Sequence, residues 1–160
     1  MRCFNSARVA VLQGGLSNER DVSLETGRAV CEALRSLGHT VIEIDPSHDL
    51  PEKLSVATPE VVFNALHGTY GEDGRIQGLL DWMRLPYTGE GIRASLLAFD
   101  KVLAKRLYRS AGVPVAHDCV LRGDETSSAT LGDLTFGLPV VVKPVAEGSS
   151  VGVHIVRDED

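Results

Sequence analysis

No apolar run in this 160-residue sequence is long enough to cross a bilayer. Stretches such as Pro139 to Val142 stop far short of the roughly 20 residues that a spanning helix needs. Met1 to Ala7 lacks the apolar core of a secretory signal. Blocks of like charge are missing too. Sixteen basic residues are interspersed with 22 acidic ones, for a net charge of −6, and nothing points to a nucleic-acid or membrane partner. Only three cysteines occur, Cys3, Cys31 and Cys119, and no two form a C-x-x-C pair of the kind that binds metal or cycles redox state. They read as reduced thiols of a cytoplasmic protein, with Cys31 packing as a small hydrophobe. Internal repeats and low-complexity tracts are absent. With 43% hydrophobic and 24% charged residues, the chain is an ordinary globular one whose partners are small molecules or protein.

The patterns that are present describe an α/β fold. Arg8 to Gln13 suits a buried parallel strand that breaks at Gly14-Gly15. A helix follows, with Ala29, Val30, Ala33, Leu34 and Leu37 at helical spacing and Gly38 placed to close it. Thr40 to Ile44 and Glu60 to Leu66 are the second and third strands, separated by crossovers long enough for parallel pairing. Arg75 to Met83 is helical, Leu85 to Gly89 is a short strand and turn, and Ala94 to Ala98 and Val102 to Ser110 are helical again. Trp82, Tyr87 and Tyr108 read as packing residues. A domain boundary near Asp100 divides the chain into 1–100 and 101–160. Ala116 to Leu121 is expected as a strand and Gly123 to Asp133 as a loop or weak helix. Leu138 to Pro144 and Val151 to Val156 form a hairpin with a polar tip at Val145 to Ser150.

Three places carry groups suited to chemistry. The loop Gly14 to Arg20 sits where open α/β sheets bind ligands, but its spacing is not G-x-G-x-x-G, and Asp45 at the end of the second strand is too common a placement to restore a dinucleotide reading. Glu19 near a helix start repels an anion and suits an ammonium; as a bare residue it also fits a solvated helix-start acid. His67 follows the third strand among Gly68, Gly71 and Gly74, in a backbone that turns tightly or lies close to a ligand. It could equally bond its own loop, and Glu72-Asp73 could be a turn pair. Lys143 lies near the end of an apolar strand beside Gly148, Ser149 and Ser150, an arrangement that fits phosphate, though an ordinary surface hairpin with an edge lysine has the same pattern. Lys101, Lys105, Arg106 and Arg109 line a helix, and for most of them a solvated face suffices.

Taken in order, Gly-Gly-Leu-Ser-Asn-Glu-Arg-Asp-Val-Ser-Leu from Gly14, Ala-Leu-His-Gly-Thr-Tyr-Gly-Glu-Asp-Gly from Ala65, Leu-Pro-Tyr-Thr-Gly from Leu85, Asp100-Lys101, and Val-Lys-Pro-Val-Ala-Glu-Gly-Ser-Ser-Val-Gly from Val142 resemble the D-alanine:D-alanine ligases of the ATP-grasp superfamily. Phe99 stands where many members have Met. The family's enzymes are roughly twice this length, so the match is to a first half.

The resemblance implies a Rossmann-like (pre-ATP-grasp) parallel sheet domain over residues 1–100, then the first part of an ATP-grasp domain over 101–160. It implies that Glu19 holds the ammonium of the first D-alanine with Ser149 hydrogen-bonded near it, and that His67 lies near that substrate's carboxylate. Lys101, Lys143 and the tip residues Glu147, Gly148, Ser149 and Ser150 would contact ATP, the last three as a mobile loop over the γ-phosphate. ATP and Mg²⁺ are the implied cofactors, with metal ligands and adenine contacts in the C-terminal half and no metal ligand here. The implied activity is D-alanyl-D-alanine synthesis for peptidoglycan through a D-alanyl phosphate. It belongs to a full-length homodimer, and this chain alone should be inactive. A D-alanine:D-lactate ligase, another ATP-grasp carboxylate-amine ligase or a non-catalytic binding domain would share these motifs.

Overall fold

The computed structural model describes residues 6–123, 134 and 136–158. β1 (Arg8–Leu12) is the centre of a three-stranded parallel sheet, with β2 (Thr40–Ile44) on one side and β3 (Val61–Asn64) on the other. α1 (Arg20–Ser36) joins β1 to β2 and α2 (Leu50–Ala57) joins β2 to β3, the crossovers that parallel strands require. Side chains alternate along β1, so Val9 and Val11 pack with Cys31, Val30 and Leu34 of α1. Ala10 and Leu12 pack on the other face with Leu50 and Leu54 of α2 and with Ile76 and Leu80 of α3 (Arg75–Trp82). Cover on both faces is why β1 reads as an unbroken apolar run. The fold is α/β, with its loops gathered at the carboxyl ends of β1 and β3.

α4 (Ile92–Phe99) and α5 (Lys101–Ser110) follow, and Asp100 between them caps α5, its Oδ1 accepting from the N–H groups of Val102 and Leu103 at 2.9 Å each. β4 (Val140–Val142) and β5 (His154–Val156) pair antiparallel, with Val140 opposite Val156 and Val142 opposite His154. Both strands are shorter than their apolar patterns suggest, because Lys143 and Pro144 already belong to the tip.

Several expectations are corrected. Ala116 to Leu121 is not a strand. Lys105 donates to the Ala116 carbonyl at 3.2 Å, and Lys105 and Arg109 both pair with Asp118, so side chains of α5 hold this segment instead of a ladder. Leu85 to Gly89 supplies a single parallel bridge, Val62 to Tyr87, not a full strand. Helix α2 was not anticipated: it has eight residues, and its end is marked by Thr58 in the left-handed region (φ 43°), not by a glycine. Its start is conventional, with Pro51 in the first turn and Leu50 and Leu54 one turn apart against the sheet. The packed stripe of α1 is Ser23, Gly27 and Cys31, while Leu37 lies outside, 68% exposed. Trp82 is not a packing residue: it lies two positions beyond buried Leu80, about 200° around α3, and is 87% exposed. Tyr108 is half exposed, whereas Tyr87 does pack against the core. Residues 124–133, most of the stretch expected as loop or weak helix, lie outside the described residues.

The contrast between neighbouring residues of α3 is testable by urea denaturation. Leu80→Ala should lower stability by about 2–5 kcal/mol, the usual result of emptying a core site, whereas Trp82→Ala should stay within about 0.5 kcal/mol of the parent. A large loss at Trp82 would place that ring in the core after all.

Candidate active site

β1 runs out into Gly14 (φ 84°) and Gly15 (φ 78°), and this left-handed pair throws the chain across the end of the sheet. A ring of hydrogen bonds fixes the turn. The Gly15 N–H donates to Asp45 Oδ1 at 2.9 Å, and Arg20 donates to both oxygens of Asp45, at 2.9 and 2.5 Å. The Arg20 guanidinium holds the Asp45 carboxyl below the usual aspartate range; burial opposes this and the Gly15 amide assists it. Behind the turn, buried Ser23 accepts from the Gly14 N–H and donates to the Ala65 carbonyl, both at 2.8 Å, which ties the loop after β1 to the loop after β3. Ser17 adds a second tie by donating to the His67 carbonyl at 2.7 Å and accepting from the Glu19 N–H at 3.1 Å.

These ties deliver Glu19 to the junction of both loops and the hairpin. It stands at the N-cap of α1 yet makes no side-chain bond to that helix, and it is only 3% exposed. One carboxylate oxygen, Oε2, accepts from the Ser149 hydroxyl. The other, Oε1, is buried without a hydrogen-bond partner among the described residues. Backbone lies against it on two sides: a Cβ added at Gly68 would come within 2.5 Å of Oε1, and one at Gly148 within 2.7 Å. Burying a carboxylate oxygen with no donor is costly, so a site that retains one is shaped for a cation or a donor.

Of the residues expected at the site, Glu19, Ser149 and Gly148 are therefore in contact. His67 stands one residue from Gly68, with Nε2 3.0 Å from Thr26 Oγ1. Beyond the Ser17–His67 tie is a cavity of about 280 Å³, lined by Leu16, Ser17, Leu66, His67 and Tyr70 among others, which Glu19 does not line. On the hairpin side, Lys101 at the start of α5 donates its Nζ to the Glu147 carbonyl at 2.5 Å and its N–H to the Val145 carbonyl at 3.1 Å. Ser149 (φ 44°) and Ser150 (φ 62°) both adopt the left-handed region. Lys143 and Ser150 are exposed.

Comparison with known proteins agrees with this geometry. The family model described as D-ala D-ala ligase N-terminus matches residues 45–90, and that described as D-ala D-ala ligase C-terminus matches residues 107–160. The D-alanine--D-alanine ligase of Anaeromyxobacter sp. (strain K) is 50% identical over 158 residues, covering 99% of this chain and 51% of the relative. This chain belongs to the D-alanine--D-alanine ligase family. It spans about half the length of the curated relatives it matches. Among solved structures, the D-alanine--D-alanine ligase of Bacillus anthracis complexed with ATP superimposes with a TM-score of 0.70 at 30% identity, covering 96% of this chain and 51% of that one. The Helicobacter pylori ligase superimposes with a TM-score of 0.78 at 24% identity, covering 94% and 56% of the two chains, which bears on the fold alone.

Sequence reasoning about this ligase family passed over the residues that brace the loops. Asp45 was set aside as a failed dinucleotide acid, although its partner Arg20 sits in the quoted motif. Ser23, Gly27 and Cys31 recur every four residues on α1, and a stripe of small residues is the signal that could have identified its close face. Gly68 could be suspected only of tightness; that it walls the Glu19 carboxylate depends on contacts distant in sequence.

Asp45 makes the loop's bracing sensitive to acid. Its folded-state pKa is depressed, so its stabilising effect is complete above the unfolded value of about 4 and is lost as the pH falls through the lower folded value. The side chains of the pair are each 45% exposed, so salt should weaken the effect. Between pH ~4 and ~2 the urea midpoint of the parent should fall more steeply than that of Asp45→Asn. Parallel slopes would mean that the Arg20 pair contributes nothing.

Proposed function

We propose that this chain serves ATP-dependent joining of two D-alanines, with Glu19 binding the ammonium of the first. One observation carries the reading: a buried carboxylate with one oxygen taken by Ser149 and the other without a donor. An amino acid's ammonium supplies both the charge and the donor that Oε1 lacks, and the close glycine backbone leaves room for a small head group only. His67, one residue from Gly68, is on the side where the substrate's carboxylate would extend.

The hairpin residues fit a nucleotide. Exposed Lys143, the Lys101 ammonium and the Ser149 and Ser150 hydroxyls offer charge and donors to phosphate oxygens, as Glu147 and Gly148 offer close backbone. A carboxylate is a poor electrophile, and the chemistry ATP supplies is conversion of the first D-alanine's carboxylate to an acyl phosphate that the second amine can attack. This chain's groups hold the amino acid by its ammonium, offset phosphate charge and exclude water with the tip. Among the described residues no cluster of three or more His, Cys, Asp or Glu side chains is arranged to hold a metal, so no part in Mg²⁺ binding is assigned to them. We place the change from first-substrate domain to nucleotide domain near Asp100, the cap between α4 and α5.

Steady-state kinetics of a full-length ligase carrying these residues tests the assignment of Glu19. Glu19→Gln should raise KM for the first D-alanine by roughly 30- to 150-fold, the loss of about 2–3 kcal/mol expected for a charge-assisted contact, with little change in KM for ATP. Unchanged kinetics would remove Glu19 from the site. For Lys143, Lys143→Ala should weaken ATP binding about tenfold and adenosine binding hardly at all; equal losses would make the lysine structural.

A further inference from the structure

Glu19 is enclosed, and the enclosure bears on how any cation reaches it. Oε1 is buried between Gly68 and Gly148, so an ammonium can arrive only if one of those backbone walls moves. Gly68 is held: its N–H donates to Glu72 Oε2 at 2.8 Å and its carbonyl accepts from the Glu72 N–H at 2.9 Å. Gly148 lies on the hairpin tip, next to two non-glycine residues in the left-handed region. Such backbone costs of order 1 kcal/mol per residue or more and persists only where neighbouring contacts impose it. Two contacts impose it here. Ser149 donates to Glu19, and the Lys101 ammonium grips the carbonyl of Glu147, the residue before Gly148.

We infer that Lys101 is a positioning residue that holds the tip shut over Glu19, and that a nucleotide opens the first-substrate site by drawing the Lys101 ammonium off the Glu147 carbonyl. The argument rests on the Glu19 reading above and extends it. A phosphate anion competes well for an ammonium against a neutral carbonyl, since charge-assisted bonds are about twice as strong. Once the grip is lost, the strain at Ser149 and Ser150 favours retreat of the tip, and Gly148 withdraws from Oε1. In the nucleotide-free protein part of the first substrate's binding energy goes into lifting the tip, which weakens its apparent affinity by the fraction of molecules already open. Linkage then requires the amino acid to tighten nucleotide binding by the same factor.

Calorimetry on a full-length ligase carrying these residues separates this from a lysine that only touches phosphate. With D-alanine alone, Lys101→Met should bind about fivefold more tightly than the parent, because one hydrogen bond no longer holds the tip. A non-hydrolysable ATP analogue should tighten D-alanine binding in the parent and change it less than about twofold in Lys101→Met, while Lys101→Arg keeps the parent's behaviour. Equal or weaker nucleotide-free affinity in Lys101→Met overturns the inference. Failure of the parent to bind D-alanine with or without the analogue would count against the Glu19 reading instead. Amide exchange decides the inference in that case: Gly148 to Val151 should exchange about fivefold faster in Lys101→Met and in Ser149→Ala, and unchanged exchange in both overturns it.

Discussion

A carboxylate removed from water with one of its oxygens unpaired is the constraint around which this end of the molecule is arranged. Removing such a group from solvent costs several kcal/mol unless donors meet it, and here Ser149 meets only half of the requirement. The remainder of the fold must keep Glu19 from turning outward to water. Ser17 does so by fixing the Glu19 backbone against the His67 carbonyl, and Ser23 by locking the glycine turn to the end of β3. Neither serine touches the presumptive ligand oxygen, yet without them the two loops could part and the carboxylate would hydrate.

That arrangement also explains where the backbone departs from ordinary geometry. Gly14, Gly15 and Gly68 take left-handed conformations at no steric cost, whereas Tyr70, Ser149 and Ser150 take them with a side chain attached. All six lie in the loops after β1 and β3 or on the hairpin tip. Strain gathered at the one place where three segments meet is what a site built for a ligand shows, since the energy stored there is released when the ligand replaces the internal contacts. Asp45 and Arg20 stand outside this group: their pair is half exposed, relaxed in geometry and braces the turn from the solvent side.

How much of this was legible in the sequence differs by element. β1, with its unbroken apolar run, and α3, with Ile76 and Leu80 one turn apart, declare themselves because burial on a sheet demands those periods. α2 escaped notice because eight residues closed by Thr58 carry neither the length nor the glycine that mark a helix. The segment from Ala116 to Leu121 misled for the opposite reason: it has strand-like residues, but α5 side chains satisfy its backbone and no strand lies beside it. At the site, residue types were readable and their contacts were not. Glu19 could be recognised as unsuited to phosphate, but its burial comes from Gly68, 49 positions away, and from Gly148 and Ser149, about 130 positions away.

The long separation between Glu19 and Ser149 has a physical consequence. A contact closed over about 130 residues carries the ordering entropy of everything between, so it forms only when the sheet, α4, α5 and the hairpin are already in place. Contacts of that kind are the last made and the first lost, which is why the hydroxyl of Ser149 can act as a reversible neighbour to Glu19 while Ser23, nine residues from Gly14 and buried in the core, cannot. Stability and mobility are thereby divided between two serines on the same loop system. Ser23 makes the framework permanent, and Ser149 leaves the carboxylate open to exchange one donor for another.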